Sequence, residues 1–206
     1  MDNRYDPILV LISGRGSNLG AILRAIADGH LRASVAAVIA SRSSAAGLDL
    51  ARAAGVETIV MPPREYPSRD AYDRALADAA RAREVRLSCL AGFMHVLGPT
   101  FCAAFPNAIL NIHPSLLPAF PGVDAQRQAL EHGAKVSGAT VHFVTEALDA
   151  GPIVMQSAVP VLDDDTVETL SARILVEEHR IYPEAIARVL KGGWRIEGRR
   201  VKLLPS

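Results

Sequence analysis

Short, near-continuous apolar runs alternate with longer stretches of helical composition through the first half of the chain. Residues 8–13, 35–40, 58–61 and 85–91 are the apolar runs, the pattern of parallel strands covered on both faces. Between them, 17–28, 45–54 and 68–83 are rich in Ala, Leu and Arg, with helical length and spacing. Strand–helix repetition of this kind predicts a doubly wound α/β sheet with right-handed crossovers. A short helix near 99–105 and a fifth strand at 108–113 follow. Pro114, Pro118, Pro121 and Gly122 then crowd one segment, which predicts an ordered loop. Beyond a helix at 125–132, residues 137–145 alternate like a half-exposed strand, and 153–161 form its partner. Asp165 and Glu168 have capping-box spacing ahead of a long helix over 166–191, which Pro183 should kink. The tail, 194–204, suits a small hairpin turning at Glu197-Gly198. Hairpin apart, the expectation is a mostly parallel, Rossmann-like sheet of about seven strands flanked by helices. No repeat or linker interrupts the 206 residues, so residues 1–206 read as a single domain.

Composition narrows the function classes. Twenty-two Lys and Arg cancel 22 Asp and Glu, leaving no basic field for nucleic acid or acidic lipid. Any bound anion must therefore be held by local geometry. Cys89 and Cys102 have apolar neighbours and read as reduced core residues, not a disulfide frame. The charged start (Met1, Asp2, Asn3, Arg4) and a first apolar run confined to 8–12 fit neither a secretory signal nor a membrane span. The expectation is a cytoplasmic protein with no membrane and no nucleic-acid partner.

Three segments carry candidate chemistry. Ser13-Gly14-Arg15-Gly16-Ser17-Asn18 joins the first strand to the first helix. Its glycines let backbone approach an anion, and the helix N-terminus offers N–H groups to hold it; as a plain turn it would make Ser17 an N-cap. Ser41-Arg42-Ser43 after the second strand would suit a 2′-phosphate, but no Tyr-x-x-x-Lys pair of a small reductase accompanies it. In Asn111-Ile112-His113-Pro114-Ser115-Leu116-Leu117-Pro118, Asn111 and His113 share one side of a strand. They end that strand where ligands of open α/β sheets bind. An amide and an imidazole together can stabilise an oxyanion, and the imidazole can move a proton. Asp149, in the turn Leu148-Asp149-Ala150-Gly151-Pro152, would raise the His113 pKa if that turn folds against the His113 loop. The remaining histidines (30, 95, 132, 142 and 179) have no metal-ligand spacing, so no metal is expected.

These motifs, with Ala91-Gly92-Phe93-Met94, Phe120-Pro121-Gly122 and Glu178-His179-Arg180-Ile181-Tyr182-Pro183, occur in an order that resembles the phosphoribosylglycinamide formyltransferase family from about residue 8 to residue 191. The resemblance implies a formyltransferase fold and transfer of a formyl group from 10-formyltetrahydrofolate, as co-substrate, to the amine of 5′-phosphoribosylglycinamide in de novo purine biosynthesis. The N-terminal half would bind phosphate, and the C-terminal half folate and the reacting groups. Asn111, His113 and Asp149 would be catalytic, with Asp149 keeping His113 charged. Gly16, Ser17 and Asn18 would hold the substrate phosphate, and Glu178 the ribose. Arg69, Met94, His95, Val96, Leu97, Asn111, Thr145, Glu146, Ala147, Leu148 and Asp149 would contact the folate. His95 stands where many relatives carry Arg, and Val123-Asp124-Ala125-Gln126 where histidines are frequent.

Three rivals keep the same motifs. A formyltetrahydrofolate hydrolase, or a formyltransferase acting on another amine such as methionyl-tRNA, shares the Asn-His-Asp core. A phosphate-binding module without catalysis shares the fold alone. Small-molecule substrates and a monomer or homodimer complete the expectation.

Overall fold

The computed structural model describes residues 5–204, so the charged start, Met1 to Arg4, lies outside the described residues. The chain divides into two compact units, Met1–Leu110 and Asn111–Ser206. The fold is mixed α/β, with a mostly parallel sheet flanked by helices, as the alternation predicts.

In the first unit the strands are β1 (Asp6–Ile12), β2 (Ala33–Ala40), β3 (Thr58–Val60) and β4 (Leu87–Leu90). They lie in the order β3-β2-β1-β4, every adjacent pair parallel. Chain order reverses between β1 and β4, which makes their carboxyl ends the switch point where such sheets bind ligands. Ile8, Leu9, Val10, Leu11 and Ile12 are all fully buried. A strand covered on both faces needs apolar residues at every position, and each such side chain contributes roughly 1.5–3 kcal/mol on burial. Helices α1 (Ser17–Ala27), α2 (Gly47–Ala53), α3 (Arg69–Arg81) and α4 (Pro99–Ala104) supply the covers. Tyr72, Leu76 and Ala80 line the buried stripe of α3, and the Ser68 hydroxyl caps it by accepting from the Ala71 N–H at 3.1 Å.

The second unit begins within β5 (Ile109–His113) and contains α5 (Ala125–Glu131), β6 (Val136–Phe143), β7 (Ile153–Pro160), α6 (Val167–Lys191), β8 (Trp194–Glu197) and β9 (Arg200–Leu203). Nine strands stand among the described residues: the seven expected and the two of the C-terminal hairpin. β6 and β7 are antiparallel, and β9 adds to β7 in parallel.

Two local expectations change. β6 is not half-exposed: only Val136 is open and the next seven residues are buried. Helix α6 packs on β6, and the segment after β5 is bonded to it as well, since the Thr140 hydroxyl accepts from Leu117 N–H and donates to the Ser115 carbonyl. The cap of α6 is Thr166 with Thr169, each side chain bonding the other's backbone N–H. Asp165 is unavailable as a cap because Arg173 holds its carboxylate at 2.6 and 2.9 Å and the Leu162 N–H donates to it. Pro183 lies buried within α6, which continues on both sides of it.

Candidate active site

The β1–α1 connection is shaped by glycine. Gly16 is the N-cap of α1, with φ of 75°, so Ser17 is the first helical residue and not the cap. A Cβ on Gly16 would stand 2.6 Å from the Gly47 Cα, so positive φ and close backbone approach both demand glycine there. Gly16 supplies no side chain to the first-turn N–H groups of α1, and no acidic residue occupies that turn. Such a terminus favours an anion. Asn18 is buried at its base and Ser17 is half-buried.

The adjacent β4 end is bonded to this loop. Ser13 N–H donates to the Gly92 carbonyl at 3.0 Å, and Met94 N–H donates to Ser13 Oγ at 2.9 Å. Met94 is 70% exposed, and Val96 and His95 are exposed beside it, His95 packing its ring against Phe93 and Tyr72. Leu97 turns inward at 2% exposure. Its carbonyl accepts from Arg69 Nη2 at 2.7 Å. Arg69 in turn faces Asp73, a carboxylate 1% exposed that accepts from the Gly98 and Phe101 N–H groups. Burial pushes the Asp73 carboxyl above its ordinary range, against those N–H groups and Arg69. Arg69 is therefore engaged by the protein's own carbonyl and carboxylate.

In the second unit, β5 and the β6–β7 turn converge on four side chains. His113 is 5% exposed. Its Nε2 lies 2.8 Å from the Phe120 carbonyl and its Nδ1 3.5 Å from Asp149 Oδ2. Asp149 Oδ2 also accepts from Gly122 N–H at 2.8 Å. Asp149 Oδ1 lies 3.6 Å from His142 Nε2. The Asn111 amide Nδ2 lies 3.2 Å from His142 Nε2, and His142 Nδ1 lies 2.9 Å from the Phe143 carbonyl. A carbonyl only accepts, so Nδ1 of His142 carries a proton. In the neutral ring Nε2 is then the acceptor for Asn111. Asp149 and Phe120 sit at φ of 48° and 53°, left-handed values held in place by these contacts.

The charges are set by competition. Burial lowers the His113 pKa and prevails over the Phe120 carbonyl and Asp149, which raise it. The expectation that Asp149 keeps His113 protonated is thus overturned for this arrangement: the contact exists, but desolvation outweighs it. For Asp149, burial opposes ionisation, and His142, the Gly122 N–H and His113 outweigh it, holding its pKa below the usual value.

Other expected residues fall around these clusters. Glu178 lies on the buried face of α6, 8% exposed. Thr145, Glu146, Ala147 and Leu148 are exposed on the loop leading to Asp149. Sequence reasoning passed over His142, whose only available signal was its place two residues along β6 from Thr140. Thr140 and Gln156 were also missed: Gln156 Nε2 donates to Thr140 Oγ1 and to the Leu117 carbonyl at 2.9 Å each, securing the segment that follows His113.

Comparison with known proteins agrees with this chemistry. Residues 7–186 match the family model described as formyl transferase. A phosphoribosylglycinamide formyltransferase of Escherichia coli is 43% identical over 192 residues, 93% of this chain and 88% of that protein. The trifunctional purine biosynthetic protein adenosine-3 of Drosophila melanogaster is 43% identical over 194 residues, and there the chain spans 14% of the relative's length. The crystal structure of glycinamide ribonucleotide transformylase 1 from Symbiobacterium toebii overlays with a TM-score of 0.96 at 57% identity, covering 100% of this chain and 96% of that one. A loop shaped for an anion, an amide–imidazole–carboxylate cluster and a match over most of the sequence lead to one assignment: the chain belongs to the formyl transferase family.

Proposed function

We propose that the chain transfers the formyl group of 10-formyltetrahydrofolate to the amine of 5′-phosphoribosylglycinamide, giving formylglycinamide ribonucleotide and tetrahydrofolate, in the cytoplasm. The observation that carries this reading is the buried Asn111–His142–Asp149–His113 cluster in a chain of this family. We further propose that the two units act as one formyltransferase domain, the N-terminal half binding phosphate and the C-terminal half binding folate and carrying catalysis.

In this mechanism Gly16, Ser17 and Asn18 hold the substrate phosphate, and Glu178 the ribose. Met94, His95 and Val96, with the 145–148 loop, contact the pterin, while Leu97 and Arg69 shape that segment from behind. The substrate amine attacks the formyl carbon and its C=O electrons move to oxygen, giving a tetrahedral oxyanion. Asn111 donates to that oxygen, with one amide N–H directed to His142 and the other left for substrate. His113 faces acceptors at both nitrogens in the resting arrangement, so its donation requires exchange of the Phe120 carbonyl for the oxyanion. The added negative charge also reverses the balance that keeps the ring neutral, favouring the imidazolium. Asp149, ionised, takes the proton released by the amine through water. That proton reaches the folate nitrogen as the C–N bond breaks.

The test is deformylation of 10-formyl-5,8-dideazafolate followed by absorbance, with and without phosphoribosylglycinamide. Turnover that requires this acceptor is expected. Deformylation without an acceptor would instead establish a hydrolase, and folate binding without turnover would point to another amine.

A further inference from the structure

Beside the glycine loop, and wholly within the first unit, the carboxyl ends of β2 and β3 open onto a cavity of about 800 Å³. Arg42, Arg64 and His95 line it with the hydroxyls of Ser43 and Ser44, against a single carboxylate, Glu65. Five other arginines of this unit are engaged by acids: Arg52 by Asp49, Arg74 by Asp70, Arg81 by Asp78, Arg83 by Glu57 and Arg86 by Asp6. Among the described residues, Arg42 and Arg64 pair with no carboxylate. Arg42 makes one hydrogen bond, from Nε to the Ser13 carbonyl, which lays its guanidinium beside Gly14.

The cavity is bonded to both binding segments already described. Ser41 Oγ lies 2.7 Å from Ser13 Oγ, which also accepts from Met94 N–H. His95 belongs to the exposed 94–96 stretch and to the cavity wall alike. Two guanidiniums without an acid partner, Arg64 on the Pro62–Pro63 turn and Arg42 on the loop after β2 with the Ser43 and Ser44 hydroxyls, are suited to planar or tetrahedral oxyanions, which Arg binds through paired N–H groups.

We propose that this cavity is a second oxyanion subsite, separate from Gly16–Asn18, for carboxylate or phosphate groups carried by a bound ligand. Two sources share that chemistry. One is a chain of γ-linked glutamates extending the folate, an origin that rests on the folate-dependent reading above. The other is the phosphomonoester of a nucleotide lying over the end of β2, where dinucleotide-binding sheets place the ribose.

The test is equilibrium binding to the full chain, measured by calorimetry at low salt, with penta-γ-glutamate and 2′,5′-ADP as separate probes. Neither requires catalysis, so failure of the formyl-transfer reading leaves the test intact. Arg64→Ala should weaken the relevant probe about fivefold, the upper range for one exposed charge pair, and Arg64→Glu should weaken it further. Added salt should weaken it too. Loss confined to penta-γ-glutamate assigns the subsite to a glutamyl tail, and loss confined to 2′,5′-ADP assigns it to a nucleotide. Binding of either probe equally to wild type and both Arg64 variants would locate it elsewhere and overturn the proposal, as would no binding to wild type.

Discussion

The two units present their proposed sites in opposite ways. In the first, the proposed anion loop is made of backbone: Gly16 at positive φ, a helix start that Gly16 gives no side-chain cap, and a neighbouring glycine close enough to exclude any side chain. In the second, the site is made of side chains, Asn111, His113, His142 and Asp149, and burial and neighbouring groups set the charges of His113 and Asp149. A backbone site has no group to titrate and fails by steric strain. A side-chain site tolerates small changes of shape and fails when a donor or a charge is lost.

That contrast is sharpest at its strongest members. Asn111→Ala or His113→Ala should lower kcat about 10²–10³-fold by removing an oxyanion donor, with the circular dichroism spectrum retained. Unchanged turnover in both variants would sink the side-chain half of the comparison. Gly16→Ala should act on the fold instead. Left-handed backbone with a Cβ costs about 1–2 kcal/mol, and the Gly47 contact adds to it, so Tm should fall by about 5–10 °C while KM for the phosphate-bearing substrate rises. Gly14→Ala is the control: its Cβ would meet only Arg42 Nη2, at 3.8 Å, and its Tm should stay near wild type.

The smallest effect is on pH. Burial makes His113 bind its proton less readily when folded than when unfolded, so the unfolded chain takes up more protons as pH falls below about 6.5. Stability should be full above that value and decline below it, down to the lowered folded pKa of the ring. Asp149, also depressed, adds a separate decline as pH drops below about 4. Asp73 is raised and works in the opposite sense, its contribution lost as pH rises through its folded pKa. Urea midpoints measured from pH 8 to 5 should fall less in His113→Gln than in wild type. Parallel curves would mean that His113 does not carry the linkage.

The same contrast explains what was legible in the sequence. Glycine announces backbone constraint locally, so the Ser13–Asn18 loop could be read directly, apart from which residue caps α1. The strands of the first unit were equally plain, since burial on both faces leaves unbroken apolar runs such as 8–12. β6 misled because His142, Thr140 and Ser137 give it a polar rhythm, although all three are buried and His142 and Thr140 are hydrogen-bonded inside the protein. His142 was missed for a related reason. Its role depends on meeting Asn111, 31 residues earlier in the chain, and no spacing rule encodes a contact between two strands. The direction of the His113 pKa was beyond reach too, because a motif names the carboxylate that raises it but not the burial that lowers it.

Gly16 and Gly47 share one further consequence. A Cβ on Gly47 would stand 2.7 Å from Ile12 Cδ1 and 3.0 Å from the Gly16 Cα, so Gly16 is blocked by the Gly47 backbone while Gly47 is crowded first by the Ile12 side chain and then by the Gly16 backbone. Substituting both at once relieves neither clash, since both new methyls compete for the same space. Single-step and two-step mutational paths are therefore closed alike at this pair. A library randomising residues 12, 16 and 47 together should return glycine at 16 in nearly every folded clone, and anything larger at 47 only beside a smaller residue at 12.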